Sequence, residues 1–275
     1  MSISFSGRRT SNSPPLSPEN EWQRYGRWLL WILAGGVLAS VFAFGSAYAR
    51  AATYSGWAVV VVAGDWHAHD GSPSEIFDNA RRDVSAALAG IGFNPSNIVQ
   101  FSVRPARYPA ARPFHADSGS IAHRLWNLSD RTHGGCLLYF SSHGAPSGLV
   151  LGESILTPVR LDNMVSNACE DRPTIVVISA CYSGVFLRAL EAPNRMILTA
   201  ARPDRTSFGC GATNKYPYFD ECFLSSIDES SDFRGLALRT RQCVAKTERA
   251  TGMSPPSEPQ IFMGSTIAAH LPAWR

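Results

Sequence analysis

Lysine is nearly absent: among 25 basic residues only Lys215 and Lys246 are lysines, and the rest are arginine. Such a bias points to codon usage rather than to a charge design. Net charge is only +3, and charged residues make up 17% of the chain. No basic patch therefore argues for nucleic acid as a partner. Cysteine is scarce as well. Six in 275 residues are too few for a disulfide scaffold, and none stand as Cys-x-x-Cys, which argues against a structural zinc site. No internal repeat and no second globular domain can be traced. The Gly-x-Ser-x-Gly turn of serine hydrolases is missing too, so Ser183 in Cys181-Tyr182-Ser183-Gly184 is discounted as a nucleophile.

Residues 1–27 are rich in Ser, Pro, Asn and Arg without an apolar period, and read as a disordered basic leader. Residues 28–49 carry no charge. A bilayer-crossing helix needs roughly 20 such residues. Arg8, Arg9, Arg24 and Arg27 precede the run, which places the leader inside and the remainder outside the cytoplasm. Ala47-Tyr48-Ala49 fits a signal cleavage site. Anchor and cleaved signal both fit; either way the main domain, 53–275, is expected to be extracytoplasmic. Disulfides are allowed there, so some of Cys169, Cys210, Cys222 and Cys243 are expected to pair, with Cys136 the candidate for a buried thiol.

About 225 residues suit one α/β domain with a full core. Apolar runs read as strands over 57–63, 98–103, 135–140, 174–179 and 196–200, with a last short one over 260–263. Helical periods cover 74–90, 118–128 and 235–250. Thr157-Pro158 opens another helix, with threonine as cap and proline in the first position, and a short helix follows Ser183. Strands that are apolar throughout and alternate with helices predict a mostly parallel sheet of about six strands, covered by helices on both faces.

In such sheets active groups collect beyond the carboxyl ends of the strands. Two ends stand out here: 135–140 runs into Ser141-Ser142-His143-Gly144, and 174–179 into Ala180-Cys181-Tyr182-Ser183-Gly184. Neighbouring strands lie about 4.8 Å apart, so groups at two ends can meet. An imidazole beside a cysteine favours its thiolate and later protonates a leaving amine. Cys181 precedes a helical segment, whose N-terminal dipole favours negative sulfur. The N–H groups of Gly144 and Cys181 are candidates for an oxyanion hole. Arg81 and Arg82 read as solvated helix residues. The Asp65-Trp66-His67-Ala68-His69-Asp70 stretch reads as a polar loop at the same sheet edge, available to substrate, rather than as a metal site.

The segments YFSSHGAPSGLVL (139–151) and VVISACYSGVF (176–186) resemble the histidine and cysteine blocks of legumain-type cysteine peptidases. That family includes legumain and the catalytic subunit of the glycosylphosphatidylinositol transamidase, and shares its fold with caspases and gingipains. The likeness continues through WAVVVVAGD (57–65), FDNARRDVSAALAGIGFNPSNIV (77–99), ILTAARPDRTSFGC (197–210) and YPYFDECF (216–223), covering roughly 56–265 in order. It implies a caspase-like sheet and peptide-bond hydrolysis without a metal or organic cofactor. By the resemblance His143 matches the catalytic histidine, Cys181 the nucleophile and Gly144 the glycine beside the histidine. Asp220 matches an acidic residue of the specificity pocket.

Two departures matter. Legumain has an arginine-histidine pair where this chain has Asn79-Ala80, and a glutamate where it has Ser179. The pocket that selects asparagine is therefore not reproduced, although Asp220 and Ser179 remain candidates for its lining. Asp78 and Asn79 are candidates for orienting the histidine, or else cap the first helix. The expected function is a cysteine endopeptidase acting on a protein or peptide that binds as an added strand. Alternatives are a transpeptidase or ligase using the same pair, an inactive binding module of the same fold, and a metal-dependent hydrolase built on His67 and His69. A membrane is a further partner if 28–49 is uncleaved.

Overall fold

Valine, isoleucine and leucine in unbroken runs make strands that must be covered on both faces. This is what β1 (Ala58–Ala63), β4 (Cys136–Ser141) and β8 (Thr174–Ser179) do: every residue in each is buried. Full burial of one such aliphatic side chain contributes about 1.5–3 kcal/mol, so these strands carry much of the fold's stability. The computed structural model describes residues 53–274. The leader expected over 1–27 and the apolar run over 28–49 lie outside the described residues. Among the described residues no helix is long and apolar enough to cross a membrane.

Besides the three central strands, the elements are α1 (Ile76–Gly90), β2 (Ile98–Ser102), β3 (Phe114–His115), α2 (Ser118–Asp130), β5 (Gly144–Ala145), β6 (Gly148–Leu151), β7 (Ser154–Leu156) and α3 (Pro158–Cys169). After β8 come α4 (Leu187–Leu190), β9 (Arg195–Thr199), α5 (Tyr218–Ile227), α6 (Phe233–Ala250) and β10 (Gln260–Met263). The main sheet has seven strands in the order β10-β9-β8-β4-β1-β2-β3. All pair parallel except β10, which runs antiparallel to β9. The mostly parallel α/β sheet is as expected. Its seventh strand, β3, has two exposed residues and no apolar run to announce it.

Alternation splits the core into two layers. Val60, Val62, Leu138, Phe140, Val176 and Ile178 pack against Ile121 and Leu125 of α2 and Leu161 and Val165 of α3. Val59, Val61, Leu137, Tyr139, Ile175 and Val177 pack against Val84 and Leu88 of α1, Phe219 and Phe223 of α5, and Leu236 and Val244 of α6. The cap on α3 is as read: Thr157 accepts from Arg160 N–H and Pro158 holds the first position. The α5 helix was not expected, although its buried Phe219, Cys222, Phe223 and Ile227 recur at helical spacing; the run is short, ten residues, with buried Asp220 and Ser226 interrupting the apolar face.

Two expectations need correction. Cys136 is not a free thiol: it pairs with Cys169, as Cys222 pairs with Cys243, leaving Cys181 and Cys210 free. Cys136 opens β4 on the layer that α3 covers and Cys169 closes α3, so the Cα atoms come to 6.1 Å. Arg81 is not solvated either. Its guanidinium is buried beside Asp78 at 2.7 Å and reaches Gln100, while Arg82 stays exposed. A bridge closing a loop of 33 residues contributes about 3–4 kcal/mol in the chain-entropy account. The second bridge, closing 21 residues, contributes nearly as much, so reduction of both with dithiothreitol is expected to lower the melting temperature by about 15–25 °C, as scanning calorimetry with and without reductant would read.

Candidate active site

Strands β4 and β8 pair in register from Cys136↔Thr174 to Ser141↔Ser179. The pairing continues one step further, since Ser142 N–H donates to the Ser179 carbonyl at 3.1 Å. Two residues on from each strand end stand His143 and Cys181, both half-buried. The two blocks touch through their backbones at Gly144. A Cβ there would fall 2.0 Å from the Cys181 carbonyl oxygen and 3.0 Å from Ala180 Cβ. Only glycine permits that approach.

Each block is braced from outside the main sheet. Behind the histidine the chain turns into the β5-β6-β7 hairpin sheet, which was not foreseen; Val150 N–H donates to the His143 carbonyl at 3.0 Å. Beyond the cysteine, Tyr182 adopts a left-handed conformation (φ 58°) and its N–H donates to the Arg205 carbonyl at 2.7 Å. The expected helix after Ser183 starts as a 3-10 turn, Ser183–Phe186, and α4 adds only four residues. Its dipole at the sulfur is correspondingly small. The group aimed at Cys181 is another one. Ser207 N–H donates to Sγ at 3.3 Å, with the Ser207 carbonyl 3.5 Å and its hydroxyl 3.7 Å away. Ser183 serves the scaffold, its hydroxyl accepting from Ala201 N–H.

The imidazole of His143 lies edge-on to Phe77, centroids 5.0 Å apart. Its Nε2 is 3.0 Å from the carbonyl oxygen of His67. A carbonyl only accepts, so Nε2 carries the proton of the neutral ring and Nδ1 is left to take one. That carbonyl is presented by a turn built on Asp65, whose Oδ1 accepts from Trp66 N–H, His67 N–H and the His67 ring at 2.6, 3.1 and 2.8 Å. Among the described residues no hydrogen bond joins Sγ of Cys181 to the imidazole.

The other candidates fall differently. Asp78 and Asn79 do not reach His143. Asp78 is buried against Arg81 and Ser102, and Asn79 bonds the Lys215 carbonyl and Arg82. The orienting group is a backbone oxygen, which no side-chain pattern announces. Nor does Asp220 line an open pocket. It is fully buried and accepts from Tyr139 OH at 2.6 Å and from Ser141 and Ser179 at 2.8 Å each. Burial pushes its carboxyl up to about 6, against the lowering effect of those three bonds. Burial likewise raises the Cys210 thiol, with the Cys181 and Asp220 charges adding to it. His67 and His69 turn apart, to Asp65 and to the Cys210 carbonyl. No group of three metal-binding side chains occurs among the described residues.

No curated protein matches the chain in sequence. The fold is similar to that of caspase-1 from Spodoptera frugiperda, with a TM-score of 0.56 at 14% identity, over 78% of this chain and 88% of that one. Residues 119–250, the stretch that holds His143, Cys181 and Asp220, match the model of the peptidase C13 family. The resemblance carried by the histidine and cysteine blocks thus agrees with both findings: a caspase-like fold, and a match of residues 119–250 to the peptidase C13 family of legumain-type cysteine peptidases.

Proposed function

We propose that the protein is a cysteine endopeptidase in which Cys181 is the nucleophile and His143 its acid-base partner. One observation supports this reading: Gly144, next to His143, packs against the Cys181 carbonyl beyond adjacent strand ends, and the His143 imidazole donates to the His67 carbonyl. Sulfur transfers its proton to His143 Nδ1 and attacks the scissile carbonyl carbon. The tetrahedral oxyanion is held by the N–H groups of Gly144 and Cys181. As the C–N bond breaks, the imidazolium gives its proton to the leaving amine and a thioester remains. Water then attacks the thioester, His143 takes a proton from it, and the acid product leaves with the thiol restored. Ser207 holds the sulfur from both sides, its N–H donating to Sγ and its carbonyl accepting from the thiol.

No hydrogen bond links sulfur and imidazole in the resting arrangement; the sulfur bonds Ser207 and the imidazole the His67 carbonyl. An amine in place of water would make the enzyme a ligase; Ser179 and Asp220 offer no open pocket on which to argue asparagine specificity. Two disulfides suit an oxidising compartment. They favour an extracytoplasmic domain, anchored by or released from 28–49.

Thiol labelling tests the reading against an inactive binding module. Iodoacetamide is expected to alkylate Cys181 with an inflection well below the roughly 8.5 of a free cysteine, while His143→Ala returns the inflection toward it. The peptidase reading fails if the wild-type thiol labels like free cysteine.

A further inference from the structure

Asp220 sits on α5, away from the acyl-transfer chemistry, yet its carboxyl is hydrogen-bonded to both strands that carry that chemistry. Its Oδ2 accepts from Ser141 and from Ser179 at 2.8 Å each, and its Oδ1 from Tyr139. Ser141 and Ser179 are register partners, the last residues of β4 and β8. His143 and Cys181 each follow two residues later. All three hydroxyl bearers and the carboxyl are buried, so water neither competes with these bonds nor replaces them. A carboxylate can accept from both serines at one oxygen. A carboxylic acid must use one oxygen as a donor, and at least one hydroxyl then loses its acceptor or must rotate.

We propose that Asp220 is a positioning residue: its carboxylate ties the ends of β4 and β8 together, and so fixes the spacing of His143 and Cys181. This rests on the reading of those two residues as the reacting pair. It goes beyond it, since Asp220 acts from beneath the sheet ends and not from a substrate pocket. The tie is complete only when Asp220 is ionised, so the enzyme has an acid limb of its own. Burial raises the carboxyl to about 6. A raised carboxyl adds stability that is full below the unfolded value and is lost as pH rises through about 6. Stability and activity therefore move in opposite directions over that window.

The titratable groups that face Asp220 are few. Tyr139 comes from β4, and burial holds its phenol far above its ordinary value. Cys210, from the loop before α5, is likewise raised by burial and stays protonated. From the neighbouring helices, α1 adds the buried Asp78–Arg81 pair and α6 the buried Glu248, which accepts from Ser257 N–H, beside the apolar Val84, Leu88, Leu236 and Val244. His143 makes no hydrogen bond to Asp220 and keeps its own imidazole when residue 220 is substituted.

The test is Asp220→Asn, compared with the wild type for kcat and KM against pH, for melting temperature against pH, and for preference among peptides. Expected for the variant are a fall in kcat of about 10-fold or more near pH 7, KM within about twofold, and loss of the acid limb near 6. Its melting temperature is expected to change less between pH 4 and 7 than that of the wild type. A limb due to the imidazole would persist in the variant and overturn the proposal. So would a change in KM or in the preferred residue with kcat intact, the mark of a pocket residue. Ser179→Ala removes one strand of the tie with less disturbance; it is expected to lower kcat alone, and guards against a variant that fails to fold. Iodoacetamide labelling of the wild type reports separately: a thiol that is not activated there sinks the reacting pair, whatever Asp220 does.

Discussion

Cys181→Ala is expected to abolish cleavage of a peptide library that the wild-type domain cuts, a loss of about 10⁴-fold or more in kcat. The size follows from the chemistry. Without sulfur no thioester forms, and the remaining polar groups orient a carbonyl that nothing attacks. Water activated by His143 is a poor substitute, because the imidazole is held for a proton on a sulfur beside Gly144 and Ser207. The protein itself should be unharmed. Cys181 is half-buried and unpaired, so removing its sulfur opens no large cavity, and the melting temperature is expected to stay within a few degrees. Cleavage that survives in the alanine variant and stops with a chelator would sink the thiol mechanism. His67 and His69 would then need re-examination, although their rings turn to Asp65 and to the Cys210 carbonyl.

The central sheet was legible because a strand buried on both faces has no polar residue to blur it: Val59 to Val62 and Ile175 to Ile178 mark themselves. His143 and Cys181 were legible for a related reason, as reactive side chains that end such runs. What was not legible lies in groups with no side-chain signature. The orienter of His143 is the carbonyl of His67, and the donor to sulfur is the N–H of Ser207. Both belong to loops whose path is set by contacts distant in sequence. Asp220 was singled out only through resemblance, as a pocket residue, and it lies fully buried. A carboxyl four residues after Tyr216 says nothing of Ser141 and Ser179, which reach it from the ends of β4 and β8. Cys136 misled for a simpler cause. An apolar strand predicts a buried thiol, and only the packing of α3 brings Cys169 to it.

The second large effect is expected from one methyl group. Gly144→Ala places a Cβ 2.0 Å from the Cys181 carbonyl oxygen and 3.0 Å from Ala180 Cβ. The first of these is backbone of the neighbouring block, so no rotamer change relieves it and the two blocks must separate. Overpacking of this kind costs about 1–3 kcal/mol, and a displacement of about 1 Å between reacting groups costs about 100-fold in rate. The expected result is therefore a fall in kcat/KM of about 100-fold with the fold intact, and iodoacetamide labelling of Cys181 that needs higher pH than in the wild type. Gly148→Ala, made in the same hairpin, separates this from a general loss of packing. Its Cβ would meet the Leu156 carbonyl at 2.3 Å, within β6 and β7 and not between the two reactive blocks. Gly148 also has a positive φ of 145° that disfavours alanine, so destabilisation at least as large, with labelling unchanged, is expected there. Activity in Gly144→Ala within about threefold of wild type would mean that the separation of the histidine and cysteine blocks does not limit catalysis, since the effect asked of 1 Å is far larger.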